Sequence, residues 1–112
     1  MPTIERIDSF ADELTAIRRD LHAHPEIGFE EVRTSGIVAE KLTSWGIEVH
    51  RGLGGTGVVG VLRAGSSRGL LGLRADMDAL PIAEVNEFAH RSRHAGKMHA
   101  CGHDGHTAML LG

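Results

Sequence analysis

The feature that most constrains the fold of this chain is a long aperiodic stretch between two regular regions. Residues 77–104 show neither the spacing of an amphipathic helix nor the alternation of a half-buried strand. An ordered loop of this length is uncommon in a compact domain unless it is functional. Five of the eight histidines lie between His90 and His106. The sequence therefore predicts that this loop carries chemistry and that the regular regions support it.

Helical patterns flank the loop on both sides. Apolar residues recur every three or four positions over Ile7–Leu21, which predicts an amphipathic helix that ends near His24, before a proline. A second helical pattern covers about residues 30–45 and is followed by a glycine stop. After the loop, residues 106–111 resemble the first turns of an apolar helix, for which Asp104 is the predicted N-cap.

Apolar segments between the helices predict a sheet. Strands are expected at residues 47–50, 58–63 and 70–75, and a glycine-rich turn at 52–57. The last two strands are close enough along the chain to form a hairpin. Their nearly continuous apolar character predicts a sheet that is covered on both faces. The predicted fold class is α/β.

Composition limits the functions open to such a domain. The 112 residues are 41% hydrophobic and 24% charged, which fits a folded globular protein. The net charge of −3 gives no excess of positive charge to attract a nucleic acid. The longest apolar runs fall far short of the roughly 20 residues that span a bilayer, and no export signal is visible. A single cysteine fits a reducing compartment. We therefore expect a cytoplasmic protein with no membrane partner.

The densest group of chemically active residues lies near the end of the chain. Cys101 and His103 are two positions apart, so in an extended segment both side chains leave on the same side and can reach one ion. Thiolate and imidazole together suit zinc or a similar transition metal. His99, Asp104 and His106 could orient these ligands or be ligands themselves. The structural alternative is a buried cysteine in a histidine-rich loop, and a second chemical alternative is Cys101 as the nucleophile of a cysteine hydrolase.

Two carboxylates follow the last predicted strand. Asp76 and Asp78 lie where ligands gather in open α/β sheets, although aspartates in such turns often bond only their own backbone. His22 and His24, near the end of the first helix, are predicted to be structural because histidines there meet the helix dipole favourably. Residues 90–97 hold three positive charges and are expected to form a solvated or carboxylate-contacting loop.

Four motifs in this order resemble a known family. They are RRDLHAHPEIGFE at 18–30, GGTGVVGVL at 54–62, GLRADMDALP at 72–81 and KMHACGHDGHTAMLLG at 97–112. They are similar to the amino-terminal part of the M20 metallopeptidase family, in the branch of hippurate hydrolases and related N-acyl-amino-acid amidohydrolases. The similarity covers nearly the whole chain.

The resemblance implies a fold, a reaction and a set of site residues. Residues 1–112 would be the amino-terminal portion of a zinc-aminopeptidase-like, three-layer α/β/α catalytic domain, and the intact enzyme would be a homodimer through a smaller domain. It would hydrolyse the amide bond of a small-molecule N-acyl amino acid at a two-metal centre that contains zinc or manganese. By position, Cys101 and His103 would be metal ligands and Asp78 an orienting aspartate. Asp76 stands where the wider family has a ligand histidine.

The same resemblance gives an expectation about completeness. Family members are several times longer, and their catalytic glutamate and further metal ligands lie in a part that has no counterpart in these 112 residues. We therefore expect a fragment that holds only part of the catalytic centre and is inactive by itself. Besides the amidohydrolase interpretation, a non-enzymatic chain that binds metal or associates with itself is the remaining alternative.

Overall fold

The computed structural model describes residues 4–112, which form four helices and one two-stranded sheet. In chain order these elements are α1 (Glu5–Asp8), α2 (Ala11–Ala23), α3 (Val32–Ser44), β1 (Glu48–Leu53), β2 (Gly57–Val61) and α4 (His103–Leu111). No helix in this described part of the chain is long and apolar enough to cross a membrane.

Helix α2 forms the centre of the packed part of the molecule. Its buried face includes Ile17 and Leu21, which follow the predicted helical spacing, and it packs against α4. The helix ends at Ala23, two residues before Pro25. The predicted helix is thus confirmed over most of its length, although the structure divides it at residues 9–10 into α1 and α2.

Helix α3 begins where a side chain from outside the helix meets its first amides. The Glu26 carboxylate accepts hydrogen bonds from the backbone N–H groups of Arg33 at 2.9 Å and Thr34 at 2.6 Å. These amides would otherwise lack partners within the helix. The hydrogen bonds from Thr34 and Arg33 outweigh burial, which acts in the opposite direction, and lower the pKa of Glu26. The helix ends at Ser44, shortly before Gly46.

The sheet is an antiparallel hairpin of β1 and β2. Its register pairs Glu48 with Val61 and Leu53 with Gly57, across a turn that contains glycines at positive φ. The predicted glycine-rich turn is confirmed, but the predicted pairing of residues 58–63 with 70–75 is wrong. The nearer segment 48–53 takes the ladder of β2 instead, because the glycine turn brings it back directly.

Residues 70–75 form no strand in the described structure. Leu70, Leu71 and Leu73 are 102%, 85% and 69% exposed, and most residues of β1 and β2 are also exposed. The prediction of a sheet covered on both faces is therefore wrong for residues 4–112. An apolar run becomes a strand only where a neighbour supplies a hydrogen-bonding edge, and within these residues none does so for 70–75.

The irregular region extends from residue 62 to residue 102, and two isolated β-bridges lie along it. A parallel bridge joins Ile27 to Ala79, and an antiparallel bridge joins Leu80 to Met98 through two backbone hydrogen bonds with N···O distances of 2.9 and 3.0 Å. These bridges hold the segment that contains Asp76 and Asp78 beside the start of α4. The predicted long loop is confirmed.

Helix α4 begins earlier than predicted. Its N-cap residue is Gly102, whose φ of 87° favours glycine, and no side chain caps the helix. Asp104 lies inside the first turn and is 1% exposed. The prediction that Asp104 is the N-cap is therefore wrong, because its carboxylate points into the protein toward partners that are distant in sequence.

Candidate metal centre

Three side chains near the start of α4 bring potential metal ligands together. One ligand atom from each of Asp76, His103 and His106 lies within 4.8 Å of the other two. His103 Nε2 lies 3.4 Å from one carboxylate oxygen of Asp76, and His106 Nδ1 lies 2.7 Å from the other. The rings of the two histidines stack with centroids 5.3 Å apart. One turn of helix thus presents both imidazoles to the same carboxylate.

Asp78 fixes the chemical form of His103. The Nδ1–H of His103 faces the backbone oxygen and the Oδ1 of Asp78, each at 2.9 Å. Both oxygens only accept hydrogen bonds, so Nδ1 carries the proton. In the neutral ring the lone pair is then on Nε2, which is the atom that faces Asp76. This geometry is the one in which a carboxylate orients a metal-binding histidine, and the orienting role of Asp78 stays a prediction.

Asp76 is held in its ionised form. The hydrogen bond from His106 lowers the pKa of the Asp76 carboxyl, and the charge of His103 acts in the same direction. Thr107 also donates its hydroxyl to the Asp76 backbone oxygen at 2.9 Å, which ties the aspartate to α4. An ionised carboxylate beside an imidazole nitrogen is a suitable pair of donors for a divalent cation.

Cys101 lies apart from this cluster. Its side chain is exposed in the turn before α4, and within residues 4–112 it makes no hydrogen bond to an imidazole. It is not among the three residues whose ligand atoms converge. The structure thus places His103 with Asp76 and Asp78, whereas a ligand role for Cys101 stays a prediction.

A buried ionic cluster lies on the other side of the first turn of α4. His22 Nδ1 is 2.8 Å from Asp104 Oδ2, and His22 Nε2 is 3.0 Å from Glu84 Oε2. All three side chains are 1–4% exposed. We call these three residues the His22 clamp. Both ring nitrogens face carboxylate oxygens, which only accept hydrogen bonds, so the imidazolium form is the one that satisfies both contacts. Arg18 Nε adds a contact to Asp104 at 3.3 Å.

Within the His22 clamp, the carboxyl group of Glu84 strongly favours its ionised form. Burial alone would raise the pKa of this carboxyl, but hydrogen bonds from His22, Asn86 and the backbone of Ser92 lower it to about 2. The Ser92 amide donates at 2.6 Å. This cluster could not be predicted from the sequence, because its members are 62 and 82 residues apart along the chain. The only signal was the position of His22 at the end of a helix.

His99 is the one buried side chain in the described residues whose polar atoms lack a partner. The residue is 5% exposed, and neither ring nitrogen makes a hydrogen bond. Burial lowers the pKa of His99, as do the charges of His22 and His103, against the raising effect of Asp104 and Asp78. The lowered pKa favours the neutral form of the His99 ring, which lies near the pair His22–Asp104 and the pair His103–Asp78.

The donor set fits the divalent metals that the sequence analysis predicts. A neutral imidazole nitrogen with its other nitrogen tied to a carboxylate, an ionised carboxylate and a second imidazole are ligands that zinc and manganese accept. His103 and Asp76 would hold the ion, with His106 as the further donor that lies beside them, and the ligand role of Cys101 stays a prediction.

Comparison with known proteins gives the same family as the motifs. Residues 72–112 match the model of peptidase family M20/M25/M40. The chain is 49% identical to the hippurate hydrolase of Campylobacter jejuni over 111 residues, which cover 99% of this chain and 29% of that protein. It is 49% identical to an N-acyl-L-amino acid amidohydrolase of Geobacillus stearothermophilus over 107 residues, which cover 95% of this chain and 29% of that protein.

A solved structure agrees. The crystal structure of a dinuclear metal-binding peptidase of the M20 family from Bacillus subtilis superposes with a TM-score of 0.88 at 39% identity, covering 93% of this chain and 30% of that one. The predicted α/β class is thereby confirmed. The chain spans less than a third of the length of these relatives. The ordered motifs, the family match over residues 72–112 and the superposition together show that this chain is similar over nearly its whole length to peptidases of the M20 family.

Proposed function

We propose that these 112 residues form the amino-terminal part of the catalytic domain of a metal-dependent amidohydrolase. Its substrate class is N-acyl amino acids, and its products are a carboxylic acid and a free amino acid. The complete enzyme would carry two metal ions, zinc or manganese, and would work as a homodimer in the cytoplasm. The names of the relatives from Campylobacter and Geobacillus support the reaction and the substrate class.

The observation that carries this proposal is the arrangement of His103. Its Nδ1 donates to Asp78, its Nε2 faces the ionised Asp76, and His106 closes the cluster. Without an ion, Nε2 and the Asp76 carboxylate form an ion pair at 3.4 Å, and a bound cation would take the place of the Nε2 proton between the same two side chains. A metal ligand needs that nitrogen unprotonated and aimed at a further donor.

Each side chain would have a separate task in amide hydrolysis. Asp78 keeps the His103 ring in one tautomer and one orientation, and His106 keeps Asp76 ionised. A bound divalent ion polarises an amide carbonyl and lowers the pKa of water toward 7. The residues described here would hold and orient that ion, but they include no identified general base.

The cysteine-hydrolase alternative receives less support. A nucleophilic thiol needs a base within hydrogen-bond reach. The exposed Cys101 has no such partner in residues 4–112, whereas His103 and His106 both point to Asp76. The non-enzymatic alternative differs from the proposal only in turnover, so a turnover assay separates them.

The test uses a protein that contains this chain and extends to the length of its relatives. Hydrolysis of N-benzoylglycine is measured before and after chelation, and again after zinc or manganese is restored. The proposal predicts loss on chelation and recovery with metal. Activity that resists chelation but disappears on alkylation of Cys101 would support the cysteine hydrolase. Absence of turnover with any acyl amino acid would support a non-enzymatic protein.

A further inference from the structure

The first turn of α4 has no local device to fix its direction. Gly102 occupies the N-cap position and has no side chain, and the helix has no side-chain cap bond. Such a cap commonly stabilises the start of a helix. The orientation of the turn that carries His103 must therefore come from contacts with the rest of the molecule.

Side chains from several other segments contact this turn, and two of these contacts involve His103 and its neighbour Asp104. His103 donates to Asp78, and Asp104 accepts from His22 at 2.8 Å. Consecutive side chains on an α-helix point about 100° apart. Because the Asp104 carboxylate is held inward against His22, the direction of the neighbouring His103 ring is fixed as well.

The contacts of the His22 clamp hold the Asp104 carboxylate rigidly in its inward position. His22 is anchored on its far side by Glu84, which also accepts from the Ser92 amide at 2.6 Å. The imidazolium thus links the end of α2, the loop at 84–92 and the start of α4. Since its members are 1–4% exposed, water cannot replace these hydrogen bonds without opening the structure.

We infer that His22 is a positioning residue for the metal centre: through its Nδ1–H it holds Asp104, and through Asp104 it sets the direction of His103. This inference rests on the proposed function in so far as His103 is a metal ligand. The half of the clamp that matters for the metal centre is the bond to Asp104. The bond to Glu84 anchors the far side of the ring, and we assign to it a contribution to stability rather than to the direction of Asp104.

Two substitutions separate these halves. In His22→Asn the amide nitrogen takes the place of Nδ1 and keeps the bond to Asp104, whereas in His22→Gln the longer side chain carries its amide to the place of Nε2 and keeps the bond to Glu84. Each removes one hydrogen bond from one buried carboxylate, so the two variants should lose similar amounts of stability. His24→Gln is the matched control, because His24 donates to the Asp20 backbone oxygen and not to α4.

The first readout is cobalt(II) affinity, measured by titration of the folded chain. His22→Gln should bind cobalt roughly 10- to 100-fold more weakly, the range typical of lost orienting contacts. His22→Asn and His24→Gln should bind it as the unchanged chain does. Equal affinity in all the proteins, or equal weakening in both His22 variants, would overturn the inference.

The second readout needs no metal. The amide of His106 donates to the Gly102 oxygen at 3.0 Å and closes the first turn of α4. Its hydrogen exchange should accelerate in His22→Gln but not in His22→Asn. If the unchanged chain binds no cobalt, the proposed metal centre is refuted. The exchange measurement still tests whether His22 positions the first turn of α4: acceleration in His22→Gln alone supports this role, and any other pattern overturns it.

Discussion

Replacement of Asp78 by asparagine removes a charge from the metal centre while it keeps the shape of the side chain. In the structure, His103 Nδ1 donates to both the backbone oxygen and the Oδ1 of Asp78, at 2.9 Å each. The backbone acceptor survives the substitution, so the tautomer of His103 is retained. What Asp78→Asn loses is the charge of one acceptor.

That loss can be given a magnitude. Hydrogen bonds to charged groups contribute about 1 kcal/mol more than neutral ones, and the side chain of Asp78 is 39% exposed, which screens part of the difference. A change of about 1.4 kcal/mol is tenfold in an equilibrium constant. We therefore expect Asp78→Asn to weaken metal binding by up to about tenfold, at the low end of the usual range for orienting residues. Asp78→Ala should weaken it further, because the side-chain acceptor is gone.

The assay is a cobalt(II) titration of the 112-residue chain and its variants, together with urea unfolding of each. Asp12→Asn, at an exposed position in the first turn of α2, controls for the loss of one carboxylate charge. The unfolding free energy of Asp78→Asn should stay close to that of the unchanged chain. Unaltered cobalt affinity in both Asp78 variants would refute the reasoning and leave Asp78 as an ordinary turn residue.

Two further predictions concern the buried charge and the exposed apolar surface. Because the pKa of Glu84 is lowered from 4.5 to about 2, its ionised form stabilises the fold above pH 4.5, and this contribution is lost as the pH falls toward 2. Acid unfolding of Glu84→Gln, followed by circular dichroism, should lack that component; a pH profile equal to that of the unchanged chain would contradict this. The 112-residue chain should also self-associate in sedimentation, because Leu70, Leu71 and Leu73 expose apolar surface, and it should not hydrolyse N-acyl amino acids, because the described residues include no identified general base. Turnover by a monodisperse monomer would contradict the second prediction.

Local patterns predicted the helices better than the sheet. The spacing of Ile17 and Leu21 predicted the buried face of α2, and the glycines at 52–57 predicted the turn of the hairpin. The partner of β2 was not predictable in this way, because residues 48–53 and 70–75 are both near it and an apolar run does not specify which edge it meets. Strand pairing depends on tertiary contacts that periodicity does not contain.

In the metal centre, too, the residues could be predicted from local sequence patterns, whereas the pairing of distant residues could not. The pattern of cysteine, histidines and aspartates predicted which stretches carry chemistry, and the structure brings Asp76, Asp78 and His103 together. The pairing of His22 with Asp104 depends on residues 82 positions apart, so no local rule could find it. Asp104 was assigned as an N-cap because capping preferences are local, whereas its buried position is set by that distant partner.

The measurement that most directly tests the metal centre is the absorption spectrum of the chain with one equivalent of cobalt(II). If Cys101 and His103 are both ligands, binding should produce the charge-transfer absorption of a cobalt thiolate in the near ultraviolet. Cys101→Ser should lose that absorption and His103→Ala should bind cobalt much more weakly. Ligand-field bands without any thiolate absorption would show a site made by Asp76, His103 and His106 without the cysteine. Cobalt binding that His103→Ala leaves unchanged would contradict the proposed metal centre itself.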